Sequence, residues 1–210
     1  MNNYIENSYI CLVAPLILAI MCLRREARTS LIFVLAGMTT CLLSAYISTF
    51  LAGMLGVDPA SASYEISPTV EEIMKSLPLL FYLLVFVPEK KRAISGALLV
   101  AVGFATFENV CFLISYGTSE LLRLLIRGFG TGAMHVVCGM VVAMGVFFLW
   151  DRIWLRAIGA FALLCFVITF HAIFNVLVNQ TGVIFWIGST IPLMIVLIYL
   201  FCFRRKINLS

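Results

Sequence analysis

Ser67-Pro-Thr-Val-Glu-Glu-Ile-Met-Lys-Ser-Leu-Pro-Leu-Leu80 is the stretch whose reading decides the rest. It sets Glu71, Glu72 and Lys75 at the start of a segment whose apolar tail runs on to Val87. Ionisable groups in a segment hydrophobic enough to enter a bilayer are expensive and mark function. Three further segments of membrane grade each hold a group of the same rare kind: Glu108, His135 and His171. The chain reads as a scaffold that brings these four segments together.

Composition agrees. Of 210 residues, 63% are hydrophobic and 11% charged, and the mean hydropathy is +1.10. A soluble domain of this length has no use for so much apolar surface, whereas a polytopic membrane protein does. The expectation is an all-α integral membrane protein, residues 1–210 forming a single transmembrane helical domain of about seven spans. The net charge of +4 is small and shows no nucleic-acid footprint. Seven cysteines form no CxxC pair and read as small core hydrophobes. No basic run precedes the first apolar segment, so a cleaved signal peptide is not expected.

The spans follow from the apolar runs and their polar breaks. Span one covers Tyr9 to Leu23, and span two Leu31 to Leu55. A polar stretch, Asp58 to Pro68, precedes span three, Thr69 to Val87, which stops at Pro88. Span four covers Ile94 to Tyr116. Leu121 to Ile126 reads as an interfacial turn before span five, Gly128 to Trp150. Span six covers Ala157 to Val178, and span seven Val183 to Phe203. Spans three to six carry the ionisable groups.

Eleven of the fourteen Lys and Arg residues fall on one side: Arg24, Arg25 and Arg28, Lys90 to Arg92, Arg152 and Arg156, and Arg204 to Lys206. Only Arg123 and Arg127 fall on the other, and Lys75 lies within a span. The positive-inside rule puts the N-terminus outside and the C-terminus in the cytoplasm. With that orientation Glu108, His135 and His171 all lie roughly 10–12 Å below the outer end of their spans, at 1.5 Å per residue. Glu71 and Glu72 sit in the first turn of span three, and Lys75 one turn deeper.

Each residue also has a plainer reading. Thr69-x-x-Glu72 fits a capping box, and Glu71 with Lys75 fits an ordinary i,i+4 ion pair. The chemical reading is that Glu71 or Glu72 acts as general base on a water, with Lys75 moderating the charge of the pair. Glu108, in Gly103-Phe-Ala-Thr-Phe-Glu-Asn109, is too deep to snorkel and must pair, protonate or bind a cation. Gly128, Gly132 and Gly139 clear side-chain bulk from the stripe that holds His135. His171 and Asn175 are spaced i,i+4 and face one way. Glu108, His135 and His171 with a water would make a catalytic zinc shell. A metal-free site, with His171 and Asn175 stabilising the oxyanion, would need the same residues.

Glu71-Glu72-x-x-Lys75, Phe104-x-x-x-Glu108-Asn109, Arg127 ahead of His135, and His171-x-x-x-Asn175 together resemble the PrsW family of intramembrane proteases. That family is similar to the CAAX prenyl endopeptidases and their bacterial relatives. The resemblance implies hydrolysis of a peptide bond in a membrane-anchored protein on the extracytoplasmic side, for PrsW itself an anti-sigma factor. It implies water activation by Glu71 or Glu72, with Glu108, His135 and His171 completing the centre, and a cell membrane of bacterial or archaeal type. Asn175 stands where many family members carry Asp, as it does in the CAAX group. Two other functions use the same polar groups: a proton-coupled transporter, or a non-catalytic scaffold whose cluster specifies helix packing.

The orientation is testable by reporter fusions. An enzyme active only outside the cytoplasm, inserted after Gly117, should be active; inserted after Lys90, it should be silent. The reverse pattern contradicts the orientation.

Overall fold

The computed structural model describes residues 4–86, 89–117, 121–149 and 153–202. The expected stop at Pro88, the span ends at Val87, Trp150 and Phe203, residues 118–120 between spans four and five, and the charges Asp151, Arg152 and Arg204 to Lys206 lie outside the described residues, as do the side chains of Arg123 and Arg156.

Among those residues the chain is all helix, in eight segments: α1 (Tyr4–Cys22), α2 (Arg25–Leu55), α3 (Pro59–Glu65), α4 (Ser67–Phe86), α5 (Lys90–Tyr116), α6 (Leu121–Leu149), α7 (Ile153–Val178) and α8 (Val183–Cys202). Six of them, α1, α2 and α5 to α8, are long and apolar enough to cross a membrane. Helix α4, with 20 residues, is comparable in length. It stands apart in composition because its first half carries Glu71, Glu72 and Lys75, whose polarity the bundle encloses. Large apolar side chains such as Leu18, Phe50, Leu84, Phe148 and Phe161 are exposed along the helices. On a soluble protein so wide an apolar surface would aggregate, whereas here it is the face a bilayer covers.

Two local expectations change. Leu121 to Ile126 is not a separate turn but the opening of α6, which runs unbroken for 29 residues. Leu-Leu-Arg-Leu-Leu-Ile-Arg127 contains only residues that a helix tolerates well and no breaker. At 1.5 Å per residue, α6 is about 43 Å long and exceeds a hydrocarbon core of about 30 Å, so its ends project. The polar stretch after span two also folds. Asp58 caps α3, its carboxylate accepting from the N–H groups of Ala60 and Ser61 at 3.0 and 3.1 Å, with Pro59 in the first turn. The Ser61 side chain and these donors hold the Asp58 carboxyl below its ordinary value. Gly56, at φ 67°, ends α2 in the left-handed conformation that lets the chain turn into this cap.

Helix α5 is the axis of the bundle, packing on α1, α2, α4 and α6. Its Val100, Phe104 and Phe107 are fully enclosed. The closest approach is α2 against α5. A Cβ on Gly37 would stand 2.1 Å from the Val100 carbonyl oxygen, and one on Gly103 would stand 2.1 Å from that of Val34. The two backbones touch because neither position has a side chain, the small-residue packing expected where lipid supplies no hydrophobic drive. This contact fixes the height of Phe104 and Glu108, the next turn and a half of α5.

Gly37→Ala or Gly103→Ala must therefore push the helices apart. Each should destabilise the folded protein by about 1–3 kcal/mol, seen as earlier thermal aggregation in detergent. Gly53→Ala, whose Cβ would meet nothing within 4 Å, is the control. Equal stability of all three would refute the close contact.

Candidate active site

Helices α4, α5, α6 and α7 close around one another and each contributes one polar cluster. The side chains of Glu71, Glu72, Lys75, Glu108, His135 and His171, singled out from four separate segments, converge at one place. His135, His171 and Glu72 are 0%, 1% and 2% exposed.

Glu72 is the hub. Its Oε1 accepts from the Lys75 ammonium at 2.6 Å and from His171 Nδ1 at 2.7 Å. A carboxylate this deep is tolerable only with a cation and further hydrogen bonds on it, and it has both. The pairing overturns two of the plainer readings. Glu72 turns inward rather than back to cap Thr69, and Lys75 pairs with Glu72 at i,i+3 rather than with Glu71. The reason is tertiary: His171 on α7 offers Glu72 a second donor that an isolated helix lacks.

Lys75 also donates to His135 Nδ1 at 2.6 Å. An ammonium has no lone pair, so Nδ1 is the acceptor and His135 carries its proton on Nε2. That Nε2–H meets Glu108 Oε2, and Arg127 lies 3.6 Å from Glu108 Oε1. Arg127 also stacks over Phe112 at 3.6 Å. The Glu108 and Arg127 side chains are 24% and 23% exposed, so they form the open side of the cluster. Phe104 walls the other side of His135 at a ring distance of 5.0 Å. Glu72 and Lys75 also line, with Ser76, Cys138 and the α5 residues Ala97 and Val100, a cavity of about 20 Å³ that has room for one water.

Glu71 differs from Glu72. Its Oε2 is buried with no hydrogen-bond partner among the described residues. It faces His171 Nε2 at 3.7 Å, close but too far to bond. Since His171 gives its Nδ1 proton to Glu72, Nε2 keeps a free lone pair. Two unused donor atoms thus face each other across a gap, and Glu71, His135 and His171 each bring one ligand atom to within 4.8 Å of the others. A histidine ligand whose other nitrogen donates to a carboxylate is the usual arrangement around a catalytic metal, and His171 on Glu72 has it. The donor set fits a zinc-type ion. His135 can join only by releasing its Nε2 proton, and Glu108 lies against that atom. The carboxylate grouped with the two imidazoles is therefore Glu71, while Glu108, read from sequence as a ligand, borders them.

Asn175 lies one turn beyond His171. Its amide donates to the Ser63 carbonyl of α3 at 2.8 Å, and Asn179 donates to the Ser63 hydroxyl at 3.1 Å. The two residues latch α3 across α4 and α7, beside the cluster. Sequence reading missed Ser63 because nothing local distinguishes it; its partners lie more than a hundred positions away. Arg127 was legible as one of two basic residues on the side otherwise poor in them, and as the arginine ahead of His135 in the family resemblance.

A family model described as the PrsW family intramembrane metalloprotease matches residues 25–203. No curated protein and no solved structure matches the chain.

The latch carries a prediction. Replacing both Asn175 and Asn179 by Ala removes two hydrogen bonds, each worth about 0.5–1.5 kcal/mol. Amide exchange across residues 59–65 should accelerate by about tenfold while the rest of the bundle keeps its protection. Unchanged exchange in α3 would contradict the latch.

Proposed function

We propose a division of labour for this site on one premise: the chain belongs to the PrsW family of intramembrane metalloproteases. It is an intramembrane protease, a multi-pass membrane protein that acts on a protein substrate. The observation that carries the assignment of roles is the pair of unused donors, Glu71 Oε2 and His171 Nε2, facing each other at 3.7 Å beside His135.

In this reading Glu71, His135 and His171 hold the metal, taken to be zinc. When bound, such an ion supplies Lewis acidity to a peptide carbonyl and lowers the pKa of water. Glu72 is a positioning residue, holding His171 in the tautomer that leaves Nε2 free. Lys75 offsets the Glu72 charge, and its bond to His135 Nδ1 must give way when that nitrogen takes the proton released from Nε2. Glu108 is the proton carrier, since it is the cluster carboxylate nearest the open side and lies against His135 Nε2, the nitrogen that would face the metal. It takes a proton from the attacking water as the water oxygen bonds to the scissile carbonyl carbon. It returns that proton to the nitrogen as the C–N bond breaks. Relative to the sequence expectation, Glu71 and Glu108 exchange roles, and Asn175 serves the α3 latch.

The substrate is a membrane-anchored protein, of the regulatory kind an anti-sigma factor represents, cut near the extracytoplasmic face of a bacterial or archaeal cell membrane. Helix α4 is the seventh span, and residues 1–210 work as one transmembrane domain. The polar α3 and the Glu108–Arg127 side give the site access to water.

The roles separate in two variants. Purified Glu71→Gln should lose both metal, measured by elemental analysis, and cleavage of membrane proteins in vesicles from cells lacking the chain. Glu108→Gln should keep its metal and lose at least about 100-fold in cleavage rate, the usual scale of acid–base catalysis. A Glu108→Gln protein at wild-type rate, or a Glu71→Gln protein with full metal, contradicts the assignment.

A further inference from the structure

Among the described residues, two side chains of the cluster carry a permanent positive charge, and they are placed differently. Lys75 is buried and spends its donors inward, on Glu72 and His135. Arg127 stands on the open side. It comes from α6, about two turns before His135, and its guanidinium lies 3.6 Å from Glu108 Oε1 and 3.6 Å over the Phe112 ring. Phe112 follows Glu108 by one turn of α5, so that helix presents a carboxylate and a ring to the same arginine. A ring packed on its face fixes the guanidinium plane and directs the N–H groups along that plane.

At 3.6 Å the contact with Glu108 is an ion pair rather than a hydrogen bond. The other oxygen of the same carboxylate, Oε2, lies against His135 Nε2. One carboxylate therefore separates the guanidinium from an imidazole of the metal group. That carboxylate is the proton carrier, and its charge changes during the reaction. When Glu108 takes a proton from the attacking water it becomes neutral, while an equal negative charge appears on the carbonyl oxygen. The carbon under attack lies within reach of the water that Glu108 deprotonates, so the charge moves only a short way. A fixed cation beside Glu108 thus loses one anionic partner at the moment another forms next to it. Asn175, which the sequence suggested for holding the oxyanion, is bonded to the Ser63 carbonyl instead and leaves that role open.

We propose that Arg127 is a catalytic residue of the proteolytic reaction, its guanidinium donating to the oxyanion that forms on the scissile carbonyl. The inference rests on the protease reading above, with Glu108 as proton carrier, and adds to it the donor that stabilises the tetrahedral intermediate. In the resting site the guanidinium faces ionised Glu108. The water oxygen bonds to the carbonyl carbon, one water proton passes to Glu108, and the π pair of the C=O bond moves onto its oxygen. Arg127 keeps its own protons and exchanges a carboxylate for the oxyanion. The oxygen pair then re-forms C=O as the C–N bond breaks, and Glu108 gives its proton to the nitrogen. The second water proton stays with the new carboxyl group, and the guanidinium returns to Glu108. The oxyanion concentrates on one atom a charge that Glu108 spreads over two, so the interaction strengthens toward the transition state, as catalysis requires.

The test uses the full chain and a substrate found by the new N-termini that the wild type generates in membrane vesicles from cells lacking it. Arg127→Ala should keep its metal content and lose about 100-fold in kcat, the scale of removing one oxyanion donor, with KM within about twofold. Arg127→Lys keeps the charge but has neither the fork nor the flat face that packs on Phe112, and it should lose at least about tenfold in kcat. It decides the matter should Arg127→Ala misfold. A role exercised only through Glu108 is separated by a double variant. Glu108→Gln combined with Arg127→Ala should cleave at least about tenfold more slowly than Glu108→Gln alone. Equal rates would make Arg127 no more than a partner of Glu108 and overturn the proposal. So would the wild-type kcat in either single variant, or a loss in Arg127→Ala that falls wholly on KM. Each of these leaves the protease reading standing, whereas no new termini from the wild-type protein overturns both.

Discussion

The structure depends on one buried carboxylate. Glu72 Oε1 is shared by Lys75 at 2.6 Å and His171 at 2.7 Å, with almost no exposure to solvent. Placing a charge there without partners would cost several kcal/mol. The partners come from one turn along α4 and from α7, so the helices must meet for the charge to be tolerated. The requirement runs in both directions: α7 approaches α4 at this height, and His171 is left in the one tautomer that frees Nε2. Lys75 extends the same constraint to α6 through His135, and His135 extends it to α5 through Glu108. A single chain of hydrogen bonds thereby ties four helices at one level.

Around that chain the apolar packing is permissive, and the glycines do the positioning. Gly37 and Gly103 bring α2 and α5 into backbone contact, which sets Glu108 against His135. Beside the site a Cβ on Gly132 would meet nothing within 4 Å, and one on Gly128 only the Asn109 amide nitrogen at 4.0 Å. The same residue type serves close approach in one case and clearance in the other, and only the environment of the missing Cβ distinguishes them.

How much of this was legible in the sequence follows from the same physics. The all-helical membrane fold and the four segments with ionisable groups were, because a charge in an apolar run stands out whatever surrounds it. The convergence of Glu71, Glu72, Lys75, Glu108, His135 and His171 was legible as a shared depth. The pairing was not. Glu72 could cap or ligate, and Lys75 could reach either glutamate, until His171 and His135 supplied the partners that decided it. The unbroken α6 was hidden by Arg123 and Arg127, which suggested an interface where the backbone simply continues. Helix α3 went unread within the polar stretch, although Asp58-Pro59 is a cap followed by a first-turn proline, and its hold on Asn175 was hidden as well, since Ser63 carries no mark of its own.

The central claim is that the unused lone pairs of Glu71 and His171, with His135, form one ligand set. X-ray absorption on purified protein, at the edge of the metal it carries, tests this most directly. The account predicts a shell of nitrogen and oxygen with the scattering of two imidazoles, reduced to one in His171→Ala. A shell of sulfur, which would put the metal on the cysteines, or two imidazoles surviving in His171→Ala, would contradict it.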